Sequence, residues 1–188
     1  MNPHDGCNCP NHHASQHDHD HAHDHDHNHE HGDVETRRKT YRGYGVEFDF
    51  PSEWMLNDES SADQDSITVQ SPGTSFWTAM LFEGRPDPER VLSTAQSAFE
   101  EEYEELDVYE STVTVMGIPA FAREVEFVCL DLITTAFLVS FQTLDRTVLL
   151  MFQGEDRELK STRPILEAMT RSFSCDLQRI PDGPTVDT

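Results

Sequence analysis

The chain has 188 residues, enough for one domain with a sizeable core. Its 36 acidic residues against 13 Lys and Arg give a net charge of −23, which excludes a broad basic surface for nucleic acid phosphates. "MNPHDGC" lacks the apolar region of a secretory signal, and no uninterrupted apolar run reaches the length of a membrane-spanning helix.

All 11 histidines lie between His4 and His31. Met1 and Val34 are the only large apolar residues before Tyr41, so residues 1–39 cannot bury enough surface to offset chain entropy. They are expected to form a disordered His/Asp-rich leader, ending after the basic run Arg37, Arg38, Lys39. A single domain is expected over 40–178 and a flexible tail over 179–188. From residue 40 onward the chain keeps 28 acids and 10 bases, a surface suited to a basic protein partner or to high salt.

In chain order, "GVEFDF" (45–50) alternates Val46, Phe48 and Phe50 with acids and predicts a half-buried strand ending at Pro51. "NDESSADQDS" (57–66) reads as a polar loop, "ITVQS" (67–71) as a strand, and "SFWTAMLFE" (75–83), apolar on both faces, as a central strand. A helix is expected at about 88–106, with Val91, Leu92, Ala95, Phe99 and Leu106 on one face. The run 108–129 flanks Gly117 and Pro119 and suggests a hairpin; 133–143 and 147–154 suggest another around Leu144, Asp145 and Arg146. The final helix spans about 158–173, with Pro164 in its first turn or at a kink and the regular part starting near Thr162. Hairpins make the sheet antiparallel, and strands apolar on both sides need cover on both sides. The expected fold is α+β: an α/β/α sandwich, its mainly antiparallel sheet of about six or seven strands covered by two helices.

"YGVEFDFPSEW" near the start, "VTVMGIPAFAREVEF" with Gly117 and Pro119, and a last helix running into "RSF" resemble the PsbP/Mog-type superfamily over about residues 41–173. The resemblance implies an α/β/α sandwich that binds partners and brings no catalytic signature. The His-rich leader lies outside that family's pattern.

In "HDHDHAHDHDHNHEH" (17–31), His17, His19, His21, His23, His25, His27, His29 and His31 alternate with mainly acidic residues. Neutral imidazole suits Zn, Ni, Cu and Co. On an extended chain neighbouring histidines stand about 6.6 Å apart at Cα. Ligands bind at about 2 Å, so closing a site requires the chain to bend. Several exchanging sites are expected rather than one cage. Upstream, Cys7, Cys9, His12 and His13 form a candidate mixed site.

After His31 there is no histidine, which excludes Ser-His-Asp and Cys-His chemistry built from the domain alone. Cys129 and Cys175 read as small packed hydrophobes and Lys160 as a solvated charge. Taking Ala95 as the centre of the first helix's apolar face, Glu100, Glu101 and Glu104 point to solvent and are the candidate contacts for a basic partner. Glu102 falls on the apolar face. Either the helix overhangs the sheet there, or Glu102 pairs with Arg123, which also breaks its strand's pattern. The sequence thus reads as a cytoplasmic, non-enzymatic protein-binding module with a metal-binding leader, needing no cofactor to fold. It predicts neither nucleic acid binding nor membrane insertion. The alternative is a metallochaperone or metal buffer for Zn, Ni or Cu, the domain selecting the client.

Overall fold

A computed structural model describes residues 37–175. The strands are β1 (Arg38–Gly43), β2 (Val46–Pro51), β3 (Met55–Ser60), β4 (Gln64–Gln70) and β5 (Phe76–Phe82); then helix α1 (Pro88–Glu102). After it come β6 (Leu106–Val115), β7 (Ile118–Cys129), β8 (Leu132–Gln142), β9 (Thr147–Glu155), helix α2 (Asp156–Ser172) and the short β10 (Ser174–Cys175). Seven strands form an antiparallel sheet in the order β3-β4-β5-β9-β8-β7-β6, and β1-β2-β10 form a second sheet of three.

Alternation along the strands sends side chains into two separate cores. From β5, Trp77, Ala79 and Leu81 join Val148, Leu150 and Phe152 of β9 beneath α2, which contributes Leu159, Leu166 and Met169. The small sheet closes the same side: Phe48 packs on Trp77 at 4.6 Å between ring centroids, and Tyr41 stacks on Phe48 at 5.2 Å. On the opposite side Val125, Phe127, Ala136, Leu138 and Leu149 meet Val91 and Leu92 of α1. The fold is therefore the expected sandwich, with one outer layer built from a helix plus a small sheet rather than a helix alone.

Three two-residue hairpins shape the sheets, with central residues Tyr44–Gly45, Met116–Gly117 and Leu130–Asp131 all at positive φ. That backbone twist matches the twist of the flanking strands. Gly117 suits its position; Pro119, expected in the turn, instead sits in β7 opposite Thr114, before pairing with β8 begins at Phe121. There its missing N–H costs no bond to β8.

Four local expectations are corrected. The polar stretch 57–66 is mostly strand: β3 is a sheet edge, mainly exposed, and needs no apolar alternation. The basic run reaches into β1, where Lys39 pairs with Phe50, and the Ser52 N–H bonds to the Arg37 carbonyl. Helix α1 ends at Glu102, not 106, because Tyr103 turns extended to pack its ring 4.2 Å from that of Phe127. Helix α2 starts at Asp156, capped by the Glu155 carboxylate accepting from the Glu158 N–H, which leaves Pro164 in its interior. No described helix is long and apolar enough to cross a membrane.

Candidate functional site

One corner of the large sheet is left open. On the α2 side, β6, β7 and the start of β8 extend past the helix. Their outward residues there are Asp107 and Tyr109, Glu126 and Val128, and Ile133. Val128 and Ile133 stand opposite each other and are exposed by 54% and 58%. Leu130, at the hairpin tip, is 91% exposed and holds φ 50°. A left-handed leucine costs about 1–2 kcal/mol, so the tip is neither sequestered nor relaxed.

Among the described residues, the charged side chains lining this corner are all acidic. Asp107 faces Glu126 directly across the β6–β7 pair, and neither carboxylate has a hydrogen-bond or ion-pair partner among the described residues. Like charges opposed in this way destabilise a sheet by a few tenths to about 1 kcal/mol. The Tyr109 hydroxyl feels the same field: its pKa is raised above the ordinary phenol value, first by Asp107 and then by Glu126. With Glu104 and Glu105 from the α1–β6 link, these acids rim a groove of about 530 Å³ whose apolar lining includes Val128 and Ile133. Glu124, farther along β7, is neutralised by Arg163 of α2 at 2.7 Å.

Glu104 thus joins this corner, whereas Glu100 and Glu101 stay exposed on the last turn of α1, Glu100 accepting from Gln96 Nε2 at 2.6 Å. The three do not share one helix face, since the helix stops between them. Glu102 is exposed, and Arg123 does not meet it: the guanidinium pairs with Glu110 at 3.2 Å and donates to Ser93 Oγ at 3.2 Å. Leu106, expected on the helix, opens β6 opposite Phe127. Cys129 is half-buried, with Tyr103 Oη 3.9 Å from its Sγ; burial, and then this contact, raise the Tyr103 pKa. Lys160 is an exposed charge 3.8 Å from Asp156. The candidate ligands Cys7, Cys9, His12, His13 and His17 to His31 lie outside the described residues. Among the described residues no group of three His, Cys, Asp or Glu is placed to hold an ion.

Two comparisons of the sequence, with protein-family models and with curated proteins, find no match. The fold does have relatives among solved structures. CyanoP, the cyanobacterial PsbP of Synechocystis sp. PCC 6803, superposes with a TM-score of 0.56 at 12% identity, over 77% of this chain and 96% of its own. The fold is PsbP-like. A second PsbP-like neighbour is PA94 of Pseudomonas aeruginosa, a protein of unknown function, with a TM-score of 0.50 at 10% identity over 74% of this chain and 97% of its own. At such identities the PsbP-like fold is shared and site residues are not transferred. The opposed pair Asp107–Glu126 has to be read from this chain alone. Once the turn is placed at Met116–Gly117, each residue of β6 pairs at a fixed register with one of β7, so the pair was derivable from the sequence, but only with the turn assigned to the residue.

Proposed function

We propose that the chain is a cytoplasmic protein-binding module rather than an enzyme, and that its folded unit receives a basic, partly apolar segment of a partner protein at the open corner of the sheet. The observation that carries this reading is the uncompensated pair Asp107–Glu126 beside exposed Val128 and Ile133. A partner's Lys or Arg would relieve the repulsion while its apolar residues cover the exposed side chains. The test is titration of the full chain with a peptide alternating Lys and Leu. Binding is expected to weaken as salt rises and to be lost in Glu126→Lys, whose fold is kept. Equal binding by Glu126→Lys would remove this corner from consideration.

The same proposal gives residues 1–39 a metal-binding role. Support comes from ligand chemistry: eight alternating histidines from His17 to His31 with interleaved carboxylates, and Cys7, Cys9, His12 and His13 upstream, suit Zn, Ni, Co or Cu. If metal handling is instead the main task, the folded unit selects the client, as in a metallochaperone. That second reading is favoured by the confinement of every histidine to residues before 32. Deleting residues 1–34 separates the two: the client is still bound under either reading, but the cellular phenotype survives deletion in the first, whereas in the second metal delivery to the client is lost.

A further inference from the structure

The α1 side of the sheet is covered unevenly. The helix lies over β7, β8 and β9, while β5 and β4 continue beyond it. Between the flank of α1 and these strands runs a groove of about 770 Å³. Its floor is Met80 and Phe82 of β5 with Leu149 and Met151 of β9; its helical wall includes Ala95 and Phe99. Small residues at Thr94, Ala95 and Ala98 hold the wall back, which keeps the space open. The volume falls within the range of about 300–1,000 Å³ usual for small-molecule sites.

The groove's charge is the opposite of its surroundings. In a chain of 36 acids and 13 bases, no carboxylate lines it among the described residues, and its single charged side chain among them is Arg90. Arg42, Arg123, Arg146, Arg157, Arg163 and Arg171 each pair with a carboxylate, while Arg37, Arg38 and Arg85, which do not line the groove, have none among the described residues. The Arg90 guanidinium has no such partner among the described residues, and neither does the Gln64 side-chain amide on the strand side. An apolar trough with an uncommitted cation and an uncommitted amide at its rim matches an amphiphile with an anionic head.

We propose that this groove binds a long-chain carboxylate, its aliphatic chain along Met80, Leu149, Met151 and Ala95 and its carboxylate on Arg90. The wall from Val91 to Phe99 runs about 12 Å along the helix axis. That length suits an extended alkyl chain better than a compact ring system. The two methionines, unbranched and polarizable, adapt to a chain without fixed shape. Guanidinium and carboxylate make a charge-assisted bond that a neutral or cationic head cannot reproduce.

The experiment is displacement of a fluorescent fatty acid from the full chain, in chelator, by dodecanoate, dodecanol and dodecyltrimethylammonium. Dodecanoate is expected to compete best. Ala98→Trp, at an exposed position that leaves both cores untouched, should abolish binding of every ligand by filling the groove, with the melt unchanged. Arg90→Glu should weaken dodecanoate about five- to tenfold and leave dodecanol as it was. No saturable dodecanoate binding by the folded protein would overturn the proposal. So would undiminished binding in Ala98→Trp, or equal affinity for the cationic amphiphile. Preference for an apolar helical peptide over dodecanoate would show that the groove holds a protein segment and would overturn it as well.

Discussion

Arg123 on β7 reaches Glu110 on β6 at 3.2 Å, side chains from neighbouring strands lying beside α1. The pair is lopsided: the Arg123 side chain is 11% exposed and that of Glu110 71%. Most of what Arg123 contributes is therefore packing of its stem under α1 and the bond to Ser93, not the ion pair. Arg123→Ala is expected to cost about 1–3 kcal/mol and Glu110→Gln under about 1 kcal/mol, read from urea unfolding. Arg123→Met, which keeps the stem and removes the buried charge, should lie closer to the wild type than Arg123→Ala.

Glu158 gives the acid dependence. Burial alone would raise its pKa, but bonds from the Thr74 and Ser71 hydroxyls and the Thr74 and Ser75 N–H groups outweigh it and bring the value down to about 2. The folded pKa lies below the unfolded one, so the carboxylate stabilises the fold above the unfolded pKa of about 4.3, and this contribution fades as pH falls toward 2. Glu158→Gln should lose about 1–2 kcal/mol at pH 7, less than the full shift because solvent screens this partly buried carboxylate, and its deficit against the wild type should shrink steadily from pH 5 to pH 2. Gly73→Ala should mimic it, because a Cβ at residue 73 would stand 2.6–2.8 Å from the Glu158 carboxylate group.

The opposed acids Asp107 and Glu126 predict a trade between stability and binding. Glu126→Gln should raise the unfolding free energy by a few tenths to about 1 kcal/mol. Added salt should stabilise the wild type more than the variant, and the variant should lose affinity for the Lys–Leu peptide. A variant less stable than the wild type would mean that the repulsion is already relieved.

The N-terminal boundary and the metal expectation are tested together. A chain of residues 35–188 should keep the cooperative melt of the full protein in chelator, because β1 begins at Arg38. A chain starting at residue 44 should lose stability with Tyr41, which stacks on Phe48 and donates to Asp58 at 2.8 Å. A peptide of residues 1–34 should take up Zn or Ni with uptake falling as pH drops through about 6.5, where imidazole protonates. Absence of heat on titration would count against any role for its histidines in metal binding.

What the sequence revealed depended on how directly each feature is written in local pattern. β5 and β9, apolar on both faces, announced a sheet buried on both sides, and the apolar stripe of α1 announced its cover. β3 is not legible in local pattern because an edge strand exposed to water carries Asn57, Asp58 and Glu59 like any loop. The end of α1 was misplaced because helical periodicity ran on to Leu106, whereas an aromatic contact, Tyr103 on Phe127, sets it. The partner of Arg123 is hidden for a different reason: Glu102 matches it by helix phase and Glu110 by strand register, and register needs the turn. The acidic corner and the Arg90 groove depend on which strands run beyond which helix, information that no single segment contains.

The two cores meet at β9, where Leu149 belongs to one and its covalent neighbour Leu150 to the other. Residues adjacent in sequence therefore answer to different packing constraints, and substitutions at the two positions should combine with little interaction energy despite their proximity along the chain. The backbone of the sheet acts as a partition. Substitutions at exposed positions of the Arg90 groove, such as Thr94 and Ala98, are screened by that partition from the core beneath α2.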